Sequence, residues 1–167
     1  MTTRPIIRPC RPAEDTAAIA EIYNYYIRET VITFEVEPIS DVEMRNRLEA
    51  VASDYPKFVS EAEDGAITGY AYAHAWQARH AYRKTVELSI YLDHEAIGQG
   101  IGPALYAKVI SEVRERGFHV AIGGLAVPNA PSARLHEKLG FKKVAHYKEV
   151  GRKFERWIDV EYWQLML

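Results

Sequence analysis

An alternating segment followed at once by a glycine-rich turn constrains the fold of this chain more than any other feature. Across residues 85–92, apolar residues such as Val86 alternate with polar residues such as Glu87, which is typical of a half-buried strand. Glycines then occupy alternate positions across residues 98–102, and Pro103 favours the first turn of a helix. Such a strand, turn and helix N-terminus can bind a phosphate through backbone N–H groups.

Two nucleotide-binding folds do not fit this loop. A P-loop ends in Gly-Lys-Ser/Thr, whereas Gly102 is followed here by Pro103 and Ala104. The dinucleotide fingerprint follows the first strand of a parallel βαβ unit and needs an acidic residue about 20 positions later. This loop instead follows several predicted strands in hairpin-like order, and residues 118–123 are mostly apolar. Loop glycines can also be simple turn formers, so the segment alone leaves the phosphate site open.

The remaining periodicities predict one domain over residues 1–167. Asp64-Gly65 indicates a hairpin turn, Ser40 with Glu43 a capping box, and Asn129 a helix N-cap. Helices are predicted from Pro12, from Ser40, from Pro103 to Gly117 and from Asn129 to Gly140; strands are predicted at 6–8, 57–63, 66–75, 85–92, 118–127, 141–150 and 156–166. The fold class is therefore mixed α/β (α+β), a largely antiparallel central sheet of about seven strands flanked by about four helices.

Composition limits the partners and the chemistry. A net charge of −2 and a pI of about 6.3 give no general attraction to nucleic acid or to acidic membranes, although a local basic patch remains open. No apolar run approaches the roughly 20 residues of a membrane span, and the N-terminus lacks a signal-peptide core, so we expect a cytoplasmic protein. Cys10 is the single cysteine and is expected to be structural. Six scattered histidines show no metal-ligand spacing, so no metal is predicted.

Three segments together carry a family resemblance that covers nearly the whole chain. They are residues 86–92 with the loop through Gly102, residues 129–141, and residues 150–153 with Trp157 and Asp159 following. The sequence resembles the GCN5-related N-acetyltransferases, and within them the phosphinothricin and methionine sulfoximine acetyltransferase group. The resemblance implies an enzyme that transfers the acetyl group of acetyl-CoA to a small-molecule amine, and it implies a homodimer.

The same resemblance assigns the co-substrate site. Pantetheine would lie between two diverging strands, and the pyrophosphate would meet backbone amides of the loop, where Pro103 shapes the site without donating. The implied residues are Ile90, Tyr91, Leu92, Gly98, Gln99, Gly100, Ile101, Gly102, Pro103, Asn129, Ser132 and Lys138. The chain departs from the family at Ile97, where Gln or Arg is usual, so phosphate binding would rest mainly on backbone amides. Gln99 is a possible substitute for the missing side chain.

Acetyl transfer needs a base for the amine, a polarised thioester carbonyl and a thiolate that leaves. Glu87 is the leading candidate base, because a carboxylate facing a partly dry cleft has a raised pKa. His136 is the second candidate, and a structural role for it, or joint action with Glu87 through a water, stays open. The family generally transfers directly, without an acyl-enzyme, and the Tyr91 amide is implied as an oxyanion donor.

The aromatic and basic segment 76–85 is predicted to enclose a small acidic substrate, with Arg79 positioned to pair with a carboxylate or phosphinate. The predicted substrate-binding residues are Phe34, Trp76, Arg79, Tyr82, Thr85, Glu87, Val150 and Lys153, and the resemblance to homodimeric enzymes implies that the last two complete the pocket of a partner subunit. We expect a free amino acid or analogue as the substrate. Another amine, such as a polyamine, an arylamine or a protein N-terminus, and a non-catalytic CoA-binding sensor remain alternatives.

Overall fold

Seven strands in one sheet and four α-helices make up the architecture of residues 5–167, which a computed structural model describes. The strands are β1 (Ile6–Pro9), β2 (Lys57–Glu61), β3 (Ile67–Ala75), β4 (Thr85–Leu92), β5 (Val120–Val127), β6 (Lys142–Lys153) and β7 (Arg156–Met166). The helices are α1 (Pro12–Glu29), α2 (Asp41–Ala50), α3 (Ile101–Glu115) and α4 (Ala130–Lys138), and short 3-10 turns span His80–Tyr82 and His94–Ala96. Residues 1–4, where the sequence shows no signal-peptide core, lie outside the described residues.

The sheet runs in the order β1-β2-β3-β4-β5-β7-β6, and every neighbouring pair is antiparallel except β4 with β5. That parallel pair is short, because it extends only from Thr85 opposite Val120 to Glu87 opposite Ile122. Beyond this point β5 continues as the neighbour of β7 alone. The two strands therefore diverge and leave a gap in the middle of the sheet.

Each face of the sheet has its own apolar core. On one face, α3 buries Leu105 and Val109 against β4 residues such as Leu88, and α4 packs beside them. On the other face, α1 and α2 bury residues such as Ile19 and Leu48 against tyrosines of β3. Alternation along β4 therefore sends its apolar side chains toward α3 and leaves Glu87, Ser89 and Tyr91 on the face of α1 and α2.

Local signals in the sequence set most element ends. The Ser40 hydroxyl accepts a hydrogen bond from the Glu43 N–H at 3.1 Å, and the Asn129 carboxamide oxygen accepts from Ser132 N–H at 3.2 Å, so both residues are confirmed as helix N-caps. The Glu43 carboxylate accepts from Arg47 Nε at 2.7 Å, so the second half of the predicted capping box is not formed. The predicted Asp64-Gly65 turn is also confirmed, with Gly65 at φ 87°. No helix of the described chain is both long and apolar enough to cross a bilayer.

Several predicted boundaries were wrong by one to three residues, and three of them have a clear local reason. Helix α3 begins at Ile101, before Pro103, because Gly100 takes a left-handed conformation at φ 78° and ends the loop. Strand β5 begins at Val120, because the Phe118 N–H still bonds the Val113 carbonyl at 3.1 Å as a helix cap. Strand β6 extends to Lys153, because a bulge between residues 147 and 151 lets its pairing with β7 resume.

Candidate active site

The gap between β4 and β5 is the centre of the candidate site. Its walls are β4 from Glu87 to Tyr91 and β5 from Gly124 to Ala126, and it is closed at one end by the Glu87–Ile122 pair. At the other end the gap continues into a groove of about 490 Å³ between the glycine loop and α4. A ligand can therefore run from the loop at the protein surface to Glu87 inside the sheet.

The glycine loop presents open backbone to the groove. Gly98 and Gly100 adopt left-handed φ values of 88° and 78°, and no atom lies within 4 Å of where their Cβ atoms would be. Helix α3 starts directly after them, so its free N–H groups point toward the same space. Loop and helix start thus offer free backbone N–H groups that could hold an anion.

Most of the implied co-substrate residues line this groove. These are Ile90, Leu92, Gly98, Gly100, Ile101, Gly102, Pro103, Asn129, Ser132 and Lys138, while Tyr91 lines the inner gap. The Gln99 side chain instead donates to the Glu95 carbonyl at 3.3 Å, and the half-exposed Ile97 lines the groove in the place of a polar residue. In this structure the Gln99 side chain is therefore directed at the preceding turn, and its substitution for the family's usual Gln or Arg stays a prediction.

Sequence reasoning missed several groove residues. Tyr26 of α1 donates to the Leu92 carbonyl at 2.6 Å and closes the groove from the opposite face of the sheet. Ile32, Pro131, Arg134 and Leu135 also line it. Arg134 lies inside the quoted segment 129–141, and its charge was the available signal. Nothing in the local sequence distinguishes Tyr26 from the other tyrosines of α1.

Glu87 lies at the inner end of the gap. Its side chain is 25% exposed, and burial raises the pKa of its carboxyl while the nearby His74 imidazole partly opposes that shift. Gly124 faces it across the gap, and a Cβ there would come within 3.4 Å of Glu87 Oε1 and 3.1 Å of the Tyr162 ring. The glycine therefore leaves room beside the carboxyl for a reacting group.

His136 lies under the same gap but inside the protein, with 3% of its surface exposed. Its Nδ1 is 2.8 Å from the Ser132 carbonyl oxygen, and its Nε2 is 3.2 Å from the Tyr106 hydroxyl. These contacts suit one neutral tautomer, in which Nδ1–H donates to Ser132 and Nε2 accepts from Tyr106. Burial lowers the pKa of His136, which favours the same neutral form. Gly123 makes space for the ring, since a Cβ there would collide with Nε2.

The predicted substrate residues fall into separate groups. Trp76 packs edge-on against Tyr162, with ring centroids 5.2 Å apart, on the side of Glu87. Arg79 and Tyr82 lie exposed on the connection between β3 and β4, and Thr85 begins β4. The structure thus puts Trp76 beside the candidate base, while Arg79 occupies an open part of the surface.

Phe34 and Lys153 meet where the loop between α1 and α2 packs on the β6–β7 hairpin. The Phe34 ring occupies the space where Gly151 would carry a side chain, and the buried Lys153 ammonium donates to the Thr33 carbonyl at 2.8 Å. Burial lowers the pKa of Lys153. This ammonium therefore anchors a loop of its own chain, while Val150 nearby is exposed.

A family model described as an acetyltransferase (GNAT) domain matches residues 7–162 of the chain. The chain belongs to the GNAT acetyltransferase family. A phosphinothricin N-acetyltransferase of Streptomyces coelicolor is 40% identical over 154 residues, covering 90% of this chain and 90% of that protein. An L-methionine sulfoximine/L-methionine sulfone acetyltransferase of Salmonella typhimurium is 40% identical over 157 residues, covering 92% and 90%. The family resemblance of the sequence is confirmed, and the protein is an N-acetyltransferase.

The fold agrees with that assignment. The structure of a GNAT-superfamily phosphinothricin acetyltransferase from Sinorhizobium meliloti, in complex with acetyl-CoA, superposes with a TM-score of 0.94 at 38% identity. The match covers 100% of this chain and 89% of the other. The predicted mixed, largely antiparallel seven-stranded sheet with four helices is therefore confirmed as the GNAT fold.

Proposed function

We propose that this enzyme transfers the acetyl group of acetyl-CoA directly to the amino group of a free amino acid or analogue, with Glu87 as general base. One observation carries the proposal: the cavity beside the partly buried Glu87 carboxyl adjoins the groove beside the glycine loop, and the two cavities share four lining residues, namely Ile32, Ile90, Asn129 and Ser132. The relatives named for phosphinothricin and methionine sulfoximine support amino-acid analogues as the substrate class.

The groove has the donor set that a CoA pyrophosphate needs. The loop of residues 98–102 offers its backbone N–H groups. Arg134 and Lys138 are the charged side chains among the described residues that line the groove. No acidic side chain is among them. Pantetheine would lie along β4 from Ile90 to Leu92, and acetyl-CoA supplies the acyl group and a thiolate leaving group when bound. Phosphate binding through amides and two cations explains how the site tolerates Ile97.

Glu87 suits the role of proton acceptor. Its burial makes the carboxylate a stronger base than an exposed one, and the Gly124 side of the gap leaves space for an amine or a water. His136 would first have to release the Tyr106 hydroxyl before accepting a proton at Nε2. We therefore assign the base role to Glu87 and give His136 the second place. The Tyr91 amide, on the same strand, remains the proposed oxyanion donor.

The position and protonation of the single cysteine favour direct transfer over an acyl-enzyme. Cys10 follows β1, away from the residues that line the cleft, and burial raises the pKa of its thiol to about 11. A thiol that stays protonated near neutral pH is a poor nucleophile. The amine itself is then the group that attacks the acetyl carbonyl.

We propose that Trp76, which packs against Tyr162 on the side of Glu87, forms one wall of the amine pocket. Phe34, Tyr82 and Thr85, and Arg79 for an acidic group, lie in other parts of the structure and stay predictions of the sequence. We also propose a homodimer formed through the β6–β7 hairpin. Apolar side chains that are more than half exposed concentrate there, namely Val144, Tyr147, Val150, Phe154 and Trp157. Val150 and the neighbouring Lys153 region would then border a partner's pocket.

Thiol release from acetyl-CoA tests the proposed function. The panel contains proteinogenic amino acids, methionine sulfoximine, methionine sulfone, phosphinothricin, a polyamine and an arylamine. We expect turnover with amino acids or their analogues and at least tenfold lower kcat/KM with the polyamine and arylamine. Preferred turnover of those amines would contradict the substrate class, and tight binding of acetyl-CoA without turnover on any amine would instead identify a sensor.

A further inference from the structure

His74 lies directly opposite Glu87 in the antiparallel β3–β4 pair. Directly opposed residues project from the same face of a sheet, so the two side chains are neighbours. His74 Nε2 is 3.8 Å from Glu87 Oε2, and the two side chains are 36% and 25% exposed. His74 Nδ1 is 3.1 Å from the Ala75 carbonyl oxygen, so an Nδ1–H donor there leaves Nε2 directed toward the carboxyl.

The other titratable groups around this pair are phenols or are already paired. Tyr72 precedes His74 on β3, with ring centroids 5.8 Å apart, and Tyr162 of β7 and Tyr106 of α3 approach Glu87 from the other elements. Burial raises the pKa of all three phenols, so they stay neutral near pH 7. Arg47 of α2 faces Tyr72 but is bound to Glu35 at 2.7 Å and to Glu43 at 2.7 Å.

Among these neighbours, His74 is therefore the group that can place a positive charge beside Glu87, because the tyrosines are neutral and the Arg47 charge is paired with glutamates. An imidazole changes charge within the physiological pH range, so its influence on the carboxylate depends on pH. A positive charge within about 4–6 Å favours an ionised carboxylate, and it opposes the effect of burial.

We propose that His74 is a positioning residue for Glu87, whose imidazolium holds the carboxylate ionised and aimed into the gap as the acidity of the solution rises. The inference rests on the proposed role of Glu87 as general base. Its consequence is that the enzyme keeps its proton acceptor at pH values where burial alone would leave Glu87 protonated.

The pH dependence of kcat/KM in three variants tests this role. His74→Gln removes the charge, His74→Lys keeps one, and His119→Gln changes an exposed histidine that lines neither the gap nor the groove. We expect the acid limb to move up by about one pH unit in His74→Gln, to stay in place or move down in His74→Lys, and to be unchanged in His119→Gln. The high-pH plateau should change less than threefold, because there Glu87 is ionised in every variant.

A second measurement is independent of turnover. Carboxyl ¹³C NMR of Glu-labelled protein without acetyl-CoA, with the Glu87 signal identified by its loss in Glu87→Gln, should give a higher titration midpoint in His74→Gln than in wild type. Equal midpoints, or a uniform loss of activity at every pH in both His74 variants, would overturn the role of His74. An inactive wild-type protein would overturn the proposed function instead, so the two failures are distinguishable.

Discussion

At the scale of the residue, the Glu87 carboxyl owes its chemistry to partial removal from water. Burial raises its pKa, so the carboxyl is protonated, and unable to accept a proton, over a wider acidic range than an exposed glutamate. Activity that depends on it is present above the pKa and is lost as pH falls through it. The raised pKa also makes the ionised form a better base at neutral pH.

Glu87→Gln should lower kcat/KM by about 10²- to 10⁴-fold, because the amide cannot accept the proton of the amine. The fall should appear in kcat and leave the dissociation constant for acetyl-CoA within about threefold, since Glu87 lies outside the proposed phosphate contacts of the loop. Steady-state kinetics with isothermal titration calorimetry separate these quantities. Glu63→Gln, at the exposed β2–β3 turn, is the matched control and should resemble wild type. Equal kcat/KM values for Glu87→Gln and wild type across the pH range would remove Glu87 as the base.

Some features of the site follow from a local sequence pattern, whereas others depend on contacts between residues far apart in the sequence. Strand alternation placed Glu87 opposite the apolar face of β4, and the family resemblance then favoured a catalytic role over that of a surface glutamate. The hydrogen bonds of His136 to Tyr106, and of Lys153 to Thr33, join residues 30 and 120 positions apart. Such contacts arise when helices, strands and loops pack together, so a local sequence pattern does not predict them.

At the scale of the element, the glycine loop depends on its backbone conformation rather than on side chains. Two left-handed glycines bring its amides to face the groove, and α3 begins where the loop ends. The sequence predicted the loop and the helix after it, since glycine spacing and a proline are local signals. It placed the helix start too late, because the left-handed state of Gly100 permits two helical residues before Pro103.

Gly100→Ala should weaken acetyl-CoA binding more than it weakens folding. An alanine at φ 78° costs about 1–2 kcal/mol of backbone strain, and its methyl group also enters the space open to phosphate. Gly65→Ala is the matched control, because Gly65 has φ 87° and open space but lies at the β2–β3 turn. We expect a similar drop in Tm for both variants and at least a tenfold higher KM for acetyl-CoA in Gly100→Ala alone. Equal KM values would show that the loop does not contact the co-substrate.

At the scale of the whole molecule, the sequence predicted how many strands form the sheet but not their order. The place of β5 between β4 and β7 depends on pairings between distant segments, including Val120 with Met166. The gap follows from the same arrangement and has no signature in either strand. Only the family resemblance, carried by three separate motifs, indicated that two strands diverge there.

The proposed homodimer is also a property of this scale. Trp157→Glu should raise the dimer dissociation constant by at least about 30-fold, because buried tryptophans commonly contribute 2 kcal/mol or more to an interface. Val42→Glu is the control, since Val42 is equally apolar and exposed but lies on α2. Sedimentation velocity across a dilution series gives both constants. A wild-type protein that stays monomeric at high micromolar concentration would contradict the proposal.

The short β4–β5 pairing has one more consequence. Three register pairs join β4 to β5, so the two halves of the sheet are paired with each other at one end of the gap and are separate at the other. A molecule bound in this gap would contact both halves of the sheet and hold them together, in addition to being a reactant. If it binds only the folded state, it raises the free energy of unfolding by an amount that grows with its concentration relative to its Kd. The supply of co-substrate and the stability of the folded enzyme would thereby be linked.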